Sequence, residues 1–255
     1  MDYELRGKTA IVTGGGGGLG ATISERLMKE GVNVVIADVK STPETDRWIE
    51  KMNESSESRA CMVITDVSKE EQIDRLFDTA LAEFGQVDIV VNNAGIWPSA
   101  YVREMQADAF RRTLDINLIG PFLLCKRMAN YCIENGRKGK IVNMVSQAAF
   151  HGSTSGHAHY AASKAGLVGF TISLAREVAP YGINVNAVAP GIMETPMIME
   201  SLKDPVKKEA YLNRIPLRKV ATTEDVASIV LFLTGSQSDY MTGATLDATG
   251  GMLMR

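Results

Sequence analysis

The sequence predicts an α/β fold: a doubly wound parallel sheet of about seven strands with helices on both faces, in a single domain over residues 1–255. Two observations carry this. Short Val/Ile-rich runs alternate with amphipathic segments of helical period along the whole chain, the pattern of strands buried on both faces. Five consecutive glycines, Gly14 to Gly18, stand between the first such run and the first helical segment. With 255 residues and 45% apolar content, the chain has enough apolar surface for a substantial core.

The first strand is expected over residues 9–12, and residues 21–30 repeat apolar side chains at helical spacing until Gly31 ends the helix. Further strands are expected at 32–37, 61–64, 87–91, 140–145, 184–188 and 244–246, with helices between most of them, including 110–130 and 160–179. No Pro/Ser-rich stretch, long charge block, repeat or low-complexity segment divides the chain. The arrangement is Rossmann-like, so ligands are expected beyond the carboxyl ends of the strands. The residues there are small or polar: Asp38, Asp66, Asn92 to Gly95, Ser146 and Pro190-Gly191.

Strand, glycine turn and helix in that order suit a dinucleotide. Residues without side chains let backbone N–H groups approach a pyrophosphate, and the positive end of the helix dipole favours it. Each surplus glycine costs roughly 0.5–1 kcal/mol relative to alanine in a regular element, which argues against a mere flexible turn. Two registers match, G-x-G-x-x-G at Gly15, Gly17 and Gly20, and T-G-x-x-x-G-x-G at Thr13, Gly14, Gly18 and Gly20. Asp38 lies eighteen residues past Gly20, where an acid hydrogen-bonds the ribose 2′-hydroxyl of NAD. A 2′-phosphate there would meet a like charge costing about 4 kcal/mol at ~4 Å. The glycine turn holds no Arg or Lys to compensate, although Lys40 softens the discrimination.

A net charge of −3 offers no footprint for nucleic acid. Residues 1–8 are too charged for a signal peptide, and no apolar run approaches the ~20 residues that span a bilayer, so a soluble, cytoplasmic protein with no membrane partner is expected. Cys61, Cys125 and Cys132 form no C-x-x-C and read as reduced packing residues. His151, His157 and His159 cluster without nearby Cys, Asp or Glu, so no metal site is expected.

Tyr160 and Lys164 stand four residues apart in a helical segment and therefore share a face. An ammonium ~4 Å from a phenol favours the phenolate by about 4 kcal/mol, opposed by desolvation. On its own such a pair reads as an ordinary surface contact. Together, T-G-x-x-x-G-x-G, Asp66, N-N-A-G at Asn92 to Gly95, Ser146 and Y-x-x-x-K resemble the short-chain dehydrogenase/reductase family in its single-domain form, over essentially the whole chain from Lys8 to Gly251.

The resemblance implies that Tyr160 is the general acid/base, that Lys164 lowers its pKa and binds the nicotinamide ribose, and that Ser146 hydrogen-bonds the reacting oxygen. Asn117 matches the fourth catalytic position; an asparagine inside a helix can interrupt the backbone ladder and hold a water that begins a proton relay. For NAD, the resemblance assigns Gly14, Gly18, Leu19 and Gly20 to the pyrophosphate, Asp66 and Val67 to the adenine, and Asn92, Ala94 and Gly95 to the adenosine side. Pro190, Gly191, Ile192 and Thr195 would flank the carboxamide. Asp66 also reads as a cap for the next helix. The implied reaction passes hydride between a secondary alcohol or ketone and the cofactor, in a homotetramer with helices 110–130 and 160–179 at one interface.

Ser146 and Tyr160 are fourteen residues apart, where thirteen is the commoner family spacing, so one extra residue falls in 150–159. The expected substrate walls are Trp97, Phe150, His157, Met193 and Met197, with a lid around 191–214. This lining is apolar and adaptable, and the lid carries no charge bias, so a hydrophobic or aromatic substrate fits. The same Met and aromatic residues also suit packing against a neighbouring subunit. Two alternatives stand: a 3-oxoacyl-[acyl-carrier-protein] reductase, suggested by residues 174–178 and Gly250-Gly251-Met252, and a non-catalytic NAD-binding sensor. Asp38 and Tyr181, the latter standing where a second basic docking residue would be expected beside Arg137 and Lys138, oppose the first. The presence of Ser146, Tyr160 and Lys164 opposes the second.

Overall fold

The computed structural model describes residues 2–194, 199 and 203–254. Seven strands form one sheet: β1 (Thr9–Thr13), β2 (Asn33–Asp38), β3 (Ala60–Ile64), β4 (Ile89–Asn92), β5 (Gly139–Met144), β6 (Ile183–Pro190) and β7 (Thr245–Ala248), ordered β3-β2-β1-β4-β5-β6-β7. Every pairing is parallel. The helices are α1 (Gly18–Lys29), α2 (Pro43–Glu54), α3 (Glu70–Phe84), α4 (Ala107–Leu114), α5 (Gly120–Glu134), α6 (Ala148–His151), α7 (Ala158–Val178), α8 (Pro205–Asn213) and α9 (Thr223–Thr234). The expected strands are all present with shifts of one or two residues at their ends; the helix expected at 21–30 begins three residues earlier, and the one expected at 110–130 spans 107–134 as α4 and α5.

The alternation of side chains along each strand divides the interior into two cores. Ile11 of β1 and Val35 of β2 pack with Leu76 and Phe77 of α3, Leu124 and Met128 of α5 and Leu174 of α7. Their neighbours Val12, Val34 and Ile36 face the other way, onto Leu27 of α1, Ile49 of α2 and Leu231 of α9. Both faces are thus apolar, which is why the strands read as unbroken Val/Ile runs.

β1 pairs with β2 on one side and β4 on the other, so the strand order reverses there and a crevice opens beyond their carboxyl ends. One element was not expected. Between α4 and α5, residues Asp115–Ile119 form a π-helical turn, closed by the Gly120 N–H donating to the Asp115 carbonyl. Among the described residues no helix is long and apolar enough to cross a membrane.

Candidate active site

The glycine turn fits a bound phosphate because most of its missing side chains would have nowhere to go. A Cβ on Gly14 would lie 2.9 Å from the Ala94 Cα, and one on Gly20 would collide with the Gly14 carbonyl. Gly14 and Gly18 also hold φ of +61° and +53°, which favour glycine. Gly17 has open space around it and a φ that any residue adopts. The structure therefore needs glycine at the positions of T-G-x-x-x-G-x-G. The first turn of α1 has neither a capping side chain nor an acid, whereas Thr42 caps α2 and Thr222 and Asp225 form a capping box on α9. The free N–H groups of α1 are left for an anion.

Asp38 ends β2 beside this turn. Its Oδ2 accepts from the Gly16 N–H at 3.1 Å and its Oδ1 from the Val39 N–H at 2.8 Å. A side chain on Gly16 would come within 3.0 Å of that carboxylate. Asp38, Asp66, Val67, Ala94, Gly95 and Arg112 line a cavity of about 290 Å³ next to Gly14. The uncapped helix start, the steric cradle and this cavity together fit a dinucleotide.

Asp66 makes an Asx turn, accepting from the Ser68 N–H and Oγ, and pairs with Arg112 of α4 at 3.2 Å. Burial works to raise its pKa, but the Ser68 hydrogen bonds and the Arg112 guanidinium prevail and hold it below the usual carboxylate value. The N-cap of α3 is Lys69, so the side chain of Asp66 does not cap that helix. The Asn92 amide points into the core, donating to Asn143 Oδ1 at 2.8 Å and to Cys125 Sγ. Its neighbour Asn93, not singled out from the sequence, faces the turn instead and donates to the carbonyls of Thr13 and Gly14.

Four further side chains converge from β5, the π-helical turn and α7. Tyr160 is half-buried and stands beside Ser146, which follows β5. Lys164 lies one turn on, its Nζ donating to the Met144 carbonyl at 2.7 Å and standing 5.9 Å from the Tyr160 ring centroid. The Asn117 amide is fully buried: it donates to the Ile96 carbonyl and Ser163 Oγ, and its oxygen accepts from the Ile96 N–H. A Cβ on Gly95 would lie 3.3 Å from Asn117 Oδ1 and 3.6 Å from Lys164 Nζ, so its absence leaves this approach open.

The electrostatics differ from the sequence expectation. Burial raises the Tyr160 pKa, offset in part by the Ser146 hydrogen bond, and burial pushes Lys164 down to about 8. Lys164 is directed at the Met144 carbonyl and burial dominates the phenol, so the protein alone does not present a phenolate at neutral pH.

Pro190 ends β6 at the same rim and Gly191 follows it, packed against Thr249, with the Ala221 N–H donating to the Ile192 carbonyl. Thr195 and Met197 lie outside the described residues. Met193 packs onto the α1/α9 core, Phe150 beside Val145 and Leu167, and Leu19 on the face of α1. Trp97 stacks on His157 and meets the edge of Tyr160. His151 is exposed, and His159 is buried against Phe110, where burial and the nearby His157 lower its pKa.

A family model described as enoyl-(acyl carrier protein) reductase matches residues 15–253. The chain belongs to the short-chain dehydrogenase/reductase family. It is similar to 3beta-hydroxysteroid dehydrogenase 1 of Eggerthella lenta, 41% identical over 254 residues, covering 100% of this chain and 97% of the relative. Glucose 1-dehydrogenase 2 of Bacillus subtilis is 36% identical, covering 100% and 98%. A 3-oxoacyl-[acyl-carrier-protein] reductase of Thermotoga maritima is 34% identical, covering 98% and 100%. The crystal structure of a proposed gluconate dehydrogenase from Agrobacterium tumefaciens superposes with a TM-score of 0.90 at 32% identity, covering 100% of this chain and 99% of that one. As a member of this family the chain is an oxidoreductase that interconverts secondary alcohols and ketones with a nicotinamide cofactor.

Proposed function

We propose that the chain is a cytoplasmic, homotetrameric NAD(H)-dependent dehydrogenase of hydrophobic or aromatic secondary alcohols, with Tyr160 as its general acid/base. The observation that carries this is the convergence of Ser146, Tyr160 and the buried Lys164 at one rim, with Lys164 Nζ fixed on the Met144 carbonyl one turn from the phenol. Asp38, fastened to the Gly16 N–H, supports NAD over NADP, because a 2′-phosphate beside it would meet a negative charge. Ile119, Phe122, Ile133 and Ile172, exposed along the π-helical turn, α5 and α7, supply apolar surface for subunit packing.

When bound, the nicotinamide supplies a hydride acceptor or donor at C4. Ser146 Oγ donates to the reacting oxygen, and the Tyr160 hydroxyl gives its proton to a carbonyl or, as phenolate, takes the proton of an alcohol. The raised Tyr160 pKa keeps the phenol protonated near neutrality, which suits reduction; oxidation gains as pH rises. Lys164 favours the phenolate by its charge, and Asn117 holds the Ile96 backbone beside it.

The carrier-protein reductase reading draws on the 34%-identical relative, but Arg137 is committed to Asp88 and Gln86. The test is NADH formation across secondary alcohols, a 3β-hydroxysteroid and glucose among them, with NADP⁺ and Tyr160→Phe alongside. Turnover with NAD⁺ that vanishes in the variant is expected. Equal use of NADP⁺ would refute the Asp38 argument, and NADH binding without any turnover would favour the sensor.

A further inference from the structure

Two loops beside the catalytic tyrosine are fastened to each other. The rings of Trp97 and His157 stack with centroids 4.0 Å apart and planes at 14°. His157 Nδ1 lies 2.8 Å from the Pro98 carbonyl, which can only accept, so Nδ1 carries the proton. The Ala100 N–H donates to the Gly156 carbonyl at 2.8 Å. Gly156, at φ +86°, sits so close to the other loop that a Cβ would come within 2.8 Å of Ser99 Oγ.

The two rings are placed unequally. His157 is 7% exposed, whereas Trp97 is 43% exposed and meets Tyr160 edge-on at 6.4 Å. One ring is a fixed backing, and the other presents free apolar surface next to the phenol. The segment that supplies the backing is the one that contains the extra residue between Ser146 and Tyr160.

We propose that His157 is a positioning residue: it locks Trp97 in place as the selectivity wall of the substrate site, favouring alcohols that carry a flat apolar ring over acyclic ones. The proposal rests on the dehydrogenase reading above. Indole offers a large rigid contact face with few torsions to freeze. On an exposed loop, however, an unbraced indole samples several rotamers, and ordering it would weaken each binding event. The stack fixes the plane of the ring. The Pro98 contact and the Ala100–Gly156 bond fix the backbone that carries it.

The chain has two tryptophans, and Trp48 is anchored between α1 and α2 by a hydrogen bond to Glu25. In a Trp48→Phe background, the near-UV circular dichroism of indole and acrylamide quenching of fluorescence report on Trp97 alone, without substrate. His157→Ala is expected to flatten the indole band, raise quenching and lower kcat/KM for ring-bearing alcohols about fivefold, the worth of one aromatic pair. The loss should fall on KM and be larger for ring-bearing than for acyclic alcohols, with the NADH dissociation constant unchanged. His157→Phe should restore the stack and most of the ring preference. If His157→Ala does not fold, Trp97→Ala at its half-exposed position should abolish the same preference. An unchanged indole band in His157→Ala overturns the proposal, as does an unchanged ring-to-acyclic ratio once the band is lost. Absence of turnover in every variant, parent included, refutes the dehydrogenase reading instead and leaves the indole readings to decide the clamp.

Discussion

On the β1–β2 side of the crevice the site is made by leaving atoms out; on the β5–α7 side it is made by burying polar side chains. Gly14, Gly16 and Gly20 sit where a Cβ would press on Ala94, Asp38 or the Gly14 carbonyl, and the groups offered to a ligand are backbone N–H groups. Across the crevice Lys164 and Asn117 are buried and held by one to three specific partners, with Tyr160 half-buried beside Ser146. The first side should fail when atoms are added and the second when they are removed or neutralised.

The largest expected effect is on the second side. Tyr160→Phe removes the proton donor and is expected to lower kcat by about 10²–10⁴-fold, while the cofactor dissociation constant, measured by fluorescence titration, stays put. A matching loss of cofactor affinity would show that the two sides are not separable. Gly20→Ala is the converse experiment. The added methyl is expected to destabilise the fold by about 1–3 kcal/mol, as overpacking does, and to weaken cofactor binding in the fraction that folds; denaturant melts and a binding titration read both. Normal cofactor binding in that variant would show the cradle to be looser than the Gly14–Gly20 contact implies.

Lys164→Met tests what burial of charge costs. The folded-state pKa of Lys164, about 8, lies below the 10.5 of the free side chain, so between those values the unfolded chain binds more protons and the parent gains stability as pH rises. Below about 8 the full penalty applies. The variant should therefore lose activity yet be more stable than the parent at neutral pH, by up to roughly 3 kcal/mol less the lost Met144 hydrogen bond. That advantage should shrink towards zero above pH 10.5. Urea melts across that range check the sign, and an advantage that does not change with pH would break the argument. Smallest is Arg112→Gln. The guanidinium is about half exposed, so loss of its pair with Asp66 should weaken cofactor binding by at most about 1 kcal/mol with kcat unchanged.

The same contrast explains what was legible in the sequence. The strands were readable because both sheet faces are buried, and the glycine turn because a required absence of side chains leaves only one residue type. Tyr160, Ser146 and Lys164 were readable through spacing and resemblance, but their electrostatics were not. The raised Tyr160 pKa and the lowered Lys164 pKa both follow from how the folded chain excludes water around them, and Lys164 turns to a carbonyl twenty residues away. Asn93, the Arg112–Asp66 pair and the Trp97–His157 stack were missed as structural devices because each joins segments far apart in the chain, with no local period to announce them. The π-helical turn was legible only as an interruption of the ladder at Asn117; its wide geometry was not, since Asp115-Ile116-Asn117-Leu118-Ile119 contains no Gly or Pro and owes part of its hold to the Ile96 backbone.

That turn also sets where the length of the chain can vary. Each residue of an α-helix advances its face by about 100°. Deleting one residue between Asp115 and Ile119 would close the wide turn into the regular ladder and move Asn117 off the Ile96 backbone that it holds. A residue gained between Ser146 and Tyr160 is instead taken up in a loop, with the two side chains still next to each other. Insertions and deletions should accordingly be found among relatives in the second segment and be absent from the first, however freely the residues within it are exchanged.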